Sequence, residues 1–139
     1  LTLRCIISSM ENCIFCKIVK GDIPSYKVWE NNDFLAFLSI APVKPGHTLV
    51  IPKVHSEYIF DLAEFTLQEL LSSCKPAAKK LEKALKPKTG KVGIMVAGLE
   101  VAHTHIHLIP MDSEGDLTFA NAKPASQEEL KQIYDKISD

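Results

Sequence analysis

The chain has 139 residues, 46% hydrophobic and 24% charged, which is the balance of an ordinary folded domain with enough length for one real core. Sixteen Lys and Arg against seventeen Asp and Glu give a formal net charge of −1, which removes the basic footprint of a sequence-independent nucleic-acid binder but leaves room for a small anionic ligand. No apolar run reaches the length of a membrane span, and the composition excludes a disordered or collagen-like chain.

Leu1 to Ser9 carries one charge and lacks the basic start and cleavage site of a secretory signal. It is expected to be a disordered extension ahead of a single domain at 10–139, located in the cytoplasm. Cys13 and Cys16 form a Cys-x-x-Cys pair, which in such a compartment reads as half a metal site or as a redox motif. The redox reading wants a preceding strand, and none is predicted. Ile14 to Val19 predicts a short helical turn, stopped by Gly21 and Pro24. Tyr26 to Glu30 and Phe34 to Ile40 read as a hairpin around Asn31-Asn32-Asp33. His47 to Pro52 reads as a third strand after the punctuation of Pro42, Pro45 and Gly46.

Asp61 and Glu64 have capping-box spacing. Leu67, Leu70, Leu71, Cys74, Ala78, Leu81 and Leu85 then recur on one face of a long helix, with Pro76 bending it and Cys74 in the core. Lys91 to Ala97 and His105 to Pro110 complete five strands. Ser126 and Glu129 cap a last helix that turns Leu130, Ile133, Tyr134 and Ile137 inward. Hairpins on either side of one long helix describe an α+β domain with a mainly antiparallel sheet.

The chemistry concentrates at His103, His105 and His107. On a strand, alternation puts all three on one face, with Thr104, Ile106 and Leu108 on the other. All three binding one metal is one reading, but same-face neighbours stand roughly 7 Å apart at Cα and converge poorly on one ion. Divided labour is the other: one ring oriented, one attacking, one binding developing charge, as suits nucleotidyl transfer.

From Met10 to Ile137 the chain resembles the histidine-triad (HIT) family of nucleotide hydrolases and transferases. The resemblance rests on three blocks in family order: Cys13-Ile-Phe-Cys16 with Gly21-Asp-Ile-Pro24, Pro45-Gly-His47 through Pro52-Lys53, and His103-Thr-His105-Ile-His107-Leu-Ile-Pro110. The first block looks like that of the family's zinc-bearing members, and the short loop before the triad looks like that of a bacterial-type member. The resemblance implies the HIT-like fold and a homodimer with the long helix near the two-fold axis. It implies His105 as nucleophile toward the α-phosphorus, His107 as the donor to phosphate oxygens, and His47 as a second polar wall. Cys13, Cys16, His55 and His103 would hold a structural zinc. Ile14, Phe15, Ile18, Ile23, Phe37 and Ile40 would form an apolar slot for a purine nucleotide, with Ser39 beside the ribose.

Three departures from the family pattern stand out. Ser39 replaces the usual acidic or amide residue, Leu99-Glu100 replaces a Gln-Ser/Thr pair, and the phosphate-side asparagine has no counterpart. The implied activity is hydrolysis of nucleotide phosphoramidates or dinucleoside polyphosphates through a covalent nucleotidyl-histidine. Its rivals are a nucleotide-binding or scaffolding module with vestigial activity, and a three-histidine metal hydrolase.

Overall fold

The computed structural model describes residues 11–138; the expected extension at 1–9, with Cys5, lies outside the described residues. Five strands form one antiparallel sheet: β1 (Lys27–Glu30), β2 (Phe34–Leu38), β3 (Thr48–Pro52), β4 (Lys91–Met95) and β5 (Ile106–Met111), in the spatial order β1-β2-β3-β5-β4. Among the described residues three α-helices accompany them: α1 (Ile14–Lys20), α2 (Glu64–Leu85) and α3 (Gln127–Ser138). This is the α+β architecture expected from the sequence, with every strand pairing antiparallel.

Side-chain alternation divides the sheet into two apolar layers. Phe34, Ala36, Leu38, Val50, Ile106 and Leu108 pack against Leu70, Cys74, Ala77 and Leu81 of α2 and Leu130 and Ile137 of α3. Leu35, Phe37, Leu49 and Ile51 face the other way and pack against Phe15, Cys16 and Ile18 of α1. His107 lies opposite Leu49 across β3 and β5, so its side chain belongs to this second layer. The α2 and α3 layer is the larger hydrophobic core, and the α1 layer holds Cys13, Cys16 and the side chain of His107.

Local chemistry explains the ends of these elements. Gly21 takes a left-handed conformation (φ 86°) and its N–H closes α1 onto the carbonyls of Ile18 and Lys17. The Asn31 side chain accepts from the N–H groups of Asp33 and Phe34, which fixes the hairpin turn. Ser126 Oγ accepts from the Glu129 N–H at 3.1 Å and so starts α3. Gly46 is left-handed (φ 91°), and a Cβ there would run into the side chain of Leu85. That glycine lets the chain turn into β3 directly beneath the end of α2.

Several expectations are corrected. Asp61 belongs to a separate 3-10 turn (Ile59–Asp61), and α2 begins after Ala63 with no side-chain cap. Leu71 is 56% exposed, because the buried stripe runs through Leu70, Ser73, Cys74, Ala77 and Leu81 and leaves Leu71 about 100° further round. β5 begins at Ile106, so only His107 of the three histidines is on a strand. The backbone before it bonds elsewhere: the His103 N–H goes to the Val101 carbonyl and the Thr104 N–H to the Ser56 carbonyl.

Candidate active site and metal centre

β2, β3, β5 and α1 together wall a cavity of about 610 Å³. Ile14, Phe15, Ile18, Ile23, Phe37, Ser39 and Ile40 line it, and so do His47, His105 and His107. The apolar slot and three of the histidines singled out in the sequence therefore share one space. Ile40 is 66% exposed and sits at the rim rather than in the core. Phe119 also lines the cavity, with its ring 4.7 Å from that of His107. The sequence reading missed Phe119, which lies in an isolated 3-10 turn (Phe119–Asn121) with no periodic signal around it.

The imidazoles are held in defined orientations. His105 Nδ1 is 2.7 Å from the His103 carbonyl oxygen, so the ring N–H donates there and the neutral ring keeps its lone pair on Nε2. The Phe15 ring meets it edge-on, with centroids 5.2 Å apart. His47 Nδ1 accepts from the Val43 N–H at 3.1 Å, so the proton of neutral His47 is on Nε2. That proton is donated across 2.9 Å to His107 Nδ1, and the proton of neutral His107 is thereby fixed on Nε2. Two hydrogen bonds from one backbone amide make His107 a donor. Burial, then the neighbouring His105, lower the pKa of His47 to about 4. Burial, then His105 and His47, lower that of His107 to about 3.

The first histidine of the triad faces elsewhere. His103 is fully buried, and its Nε2–H donates to the Pro52 carbonyl at 2.7 Å, which leaves Nδ1 free. That atom stands 3.3 Å from Cys13 Sγ and 3.5 Å from Cys16 Sγ, while His55 Nδ1 stands 3.2 Å from Cys16 Sγ. Ligand atoms of Cys13, Cys16, His55 and His103 all lie within 4.8 Å of one another. Around a tetrahedral zinc with two sulfur and two nitrogen ligands, neighbouring ligand atoms are about 3.3–3.8 Å apart. The donor set and spacing fit that ion. The other ring nitrogen of His55, Nε2, is buried with no hydrogen-bond partner among the described residues, and Glu57 Oε1 is 3.6 Å away.

Electrostatics argue the same way. Burial, then Cys13, push the Cys16 thiol up to about 11, so this pocket resists a thiolate unless a cation joins it. His103 is lowered to about 4, chiefly by burial, and offers a neutral ring. Cys74, by contrast, is buried in α2 and pushed up to about 12 by burial alone, as a core thiol should be.

Residues 20–114 match the HIT domain family. The chain is 45% identical to the protein hit of Bacillus subtilis, the match covering 92% of this chain and 93% of that one. It is 41% identical to the adenosine 5'-monophosphoramidase hnt1 of Schizosaccharomyces pombe, over 91% of this chain and 96% of the relative. A zinc-bound histidine triad family protein from Mycobacterium smegmatis superposes with a TM-score of 0.74 at 27% identity, covering 93% of this chain and 95% of its own. With its family match spanning most of its length and its relatives matched nearly end to end, this chain belongs to the HIT domain family.

Proposed function

We propose that this protein is a zinc-bearing, bacterial-type HIT hydrolase that cleaves purine nucleotide phosphoramidates through a covalent nucleotidyl-His105. The observation that carries the reading is the 2.7 Å bond from His105 Nδ1 to the His103 carbonyl, which leaves the other ring nitrogen free inside an apolar cavity of nucleotide size. The base occupies the slot of Ile14, Phe15, Ile18, Ile23, Phe37 and Ile40, with the ribose beside Ser39. His105 Nε2 attacks the α-phosphorus while the His107 Nε2–H binds a phosphoryl oxygen and stabilises its charge. The P–N bond breaks, its electron pair leaves with the amine, and the amine takes a proton from water at the mouth. A second water then adds its hydroxyl to phosphorus and gives its proton to the hydroxide left by the first, while the bond from phosphorus to Nε2 breaks and its electron pair returns to the ring. His47 holds His107 in the donating tautomer.

The similarity to a relative named for adenosine monophosphoramidase activity supports the P–N substrate over a dinucleoside polyphosphate. Zinc at Cys13, Cys16, His55 and His103 would neutralise two thiolates and tie α1 to the segment before β5. With four protein ligands it has no open position, so its role is structural. A reducing cytoplasm suits thiolate ligands of this kind. The assembly is a homodimer, for which the exposed apolar side chains of α2 and the β4 edge provide the surface.

His105→Asn is expected to lower turnover of adenosine 5'-phosphoramidate by on the order of 10⁴, with nucleotide binding retained. Rapid quenching of the wild-type chain should trap a nucleotidyl-protein adduct that the variant does not form. A variant keeping more than about a tenth of the turnover would refute the covalent route. A wild-type chain that binds nucleotide with no adduct and no turnover would instead be a binding or scaffolding module.

A further inference from the structure

Among the described residues lining the nucleotide cavity, Glu100 is the only Asp, Glu, Lys or Arg. Every other lining side chain is apolar, aromatic, a hydroxyl, an amide or one of the three imidazoles. Glu100 is exposed and makes no ion pair with any described residue. It also lines a second, smaller groove of about 440 Å³, shared with the first cavity along Ile14, Glu100 and Val101. Asn12, Cys13, Glu57 and Ala102 complete that groove, again without a Lys or Arg among the described residues. Glu100 therefore stands where the two spaces meet, and a group extending from the cavity into this groove passes its carboxylate.

We infer that Glu100 determines leaving-group specificity, so that amines carrying a second positive charge are preferred over neutral ones. The inference rests on the phosphoramidase reading and deepens it. The physical reason is that neither lining, among the described residues, carries a Lys or Arg to neutralise an anion. The phosphoryl group being attacked relies on neutral N–H donors, and an anionic leaving group would add its charge beside a carboxylate. An ammonium on the leaving amine would instead pair with a carboxylate that has no ion-pair partner among the described residues. Coulomb attraction at several ångströms in a partly solvated mouth favours the cationic substrate by about fivefold, and added salt should shrink that factor.

The test compares two adenosine 5'-phosphoramidates of nearly equal shape, one of propane-1,3-diamine and one of butylamine. The readout is the ratio of their kcat/KM values, in which general damage to the site cancels. The wild-type chain is expected to favour the diamine derivative by about fivefold at low ionic strength. Glu100→Gln should bring the ratio close to one, and Glu100→Lys should reverse it. High salt should lower the wild-type ratio and leave that of Glu100→Gln unchanged. A wild-type ratio near one, or one that Glu100→Gln leaves intact, overturns the assignment while the phosphoramidase reading stands. Failure of the wild-type chain to turn over either amide overturns both.

Discussion

His47 and His107 occupy surroundings that disfavour a second proton, and this ties the fold to pH. Their folded pKa values, about 4 and about 3, lie below the ordinary 6.5 of an unfolded histidine. Below pH 6.5 the unfolded chain therefore takes up protons that the folded chain refuses, and stability falls with pH until the folded values are reached. Each ring contributes up to about 1.4 kcal/mol of this loss per pH unit. Urea midpoints measured at pH 7 and pH 5 should show a clear drop, and His107→Gln should blunt it. At this scale the sequence was most informative where spacing encodes chemistry. The alternation at 103, 105 and 107 and the Cys-x-x-Cys pair marked residues that the structure gathers into two adjoining clusters. The tautomers were not legible, because they depend on the Val43 amide and the Pro52 and His103 carbonyls, which any residue type would supply.

Elements were legible where period and punctuation agree. The hairpin around Asn31, the helix behind Ser126 and the long run of α2 follow from turn residues, a cap and apolar spacing. The reading failed where a pattern was right and its context was not. Asp61 and Glu64 have the spacing of a capping box, yet Asp61 is spent in its own 3-10 turn. The histidine alternation resembles a strand, but the residues before Ile106 send their backbone bonds to Val101 and Ser56 instead of to a neighbouring strand. Period two reports which way side chains point, not where amides bond. α1 tests the metal centre at this scale. It is only seven residues long and is joined through Cys13 and Cys16 to residues 39 and more positions away. Cys16→Ala should bring bound zinc toward zero by elemental analysis and lower the melting temperature by about 10 °C. A variant with full stability would deny the cluster its structural role.

The whole molecule presents apolar surface where a small domain would ordinarily hide it. Phe65 is 72% exposed and Leu71 56% on α2, and Ile94 is 48% exposed on the edge strand β4, which α2 packs against. An edge strand with such neighbours is a template for pairing, and the two-fold partner proposed above would cover it without generating an open chain of contacts. Sedimentation at micromolar concentration should give twice the 15.4 kDa of one chain. Leu71→Asp combined with Ile94→Asp should shift it to the monomer. This surface was partly hidden in the sequence, because Leu71 and Ile94 read there as ordinary members of a buried stripe and strand. No described helix is long and apolar enough to cross a membrane.

His103 works at both of its ends. Its ring faces Cys13 and Cys16, and its carbonyl oxygen grips the ring of His105. On the proposed covalent route, one peptide plane transmits the set of the cysteine cluster to the attacking nitrogen, much as a jig transmits its alignment to the tool it holds. An imidazole fastened at one point can swing only as far as its anchor does, so on that route angular play at phosphorus would be inherited from the cluster. An exchange of the four cluster residues for another packing arrangement would have to preserve the tilt of that single carbonyl, or the ring of His105 would lose its aim while its neighbours remained in place.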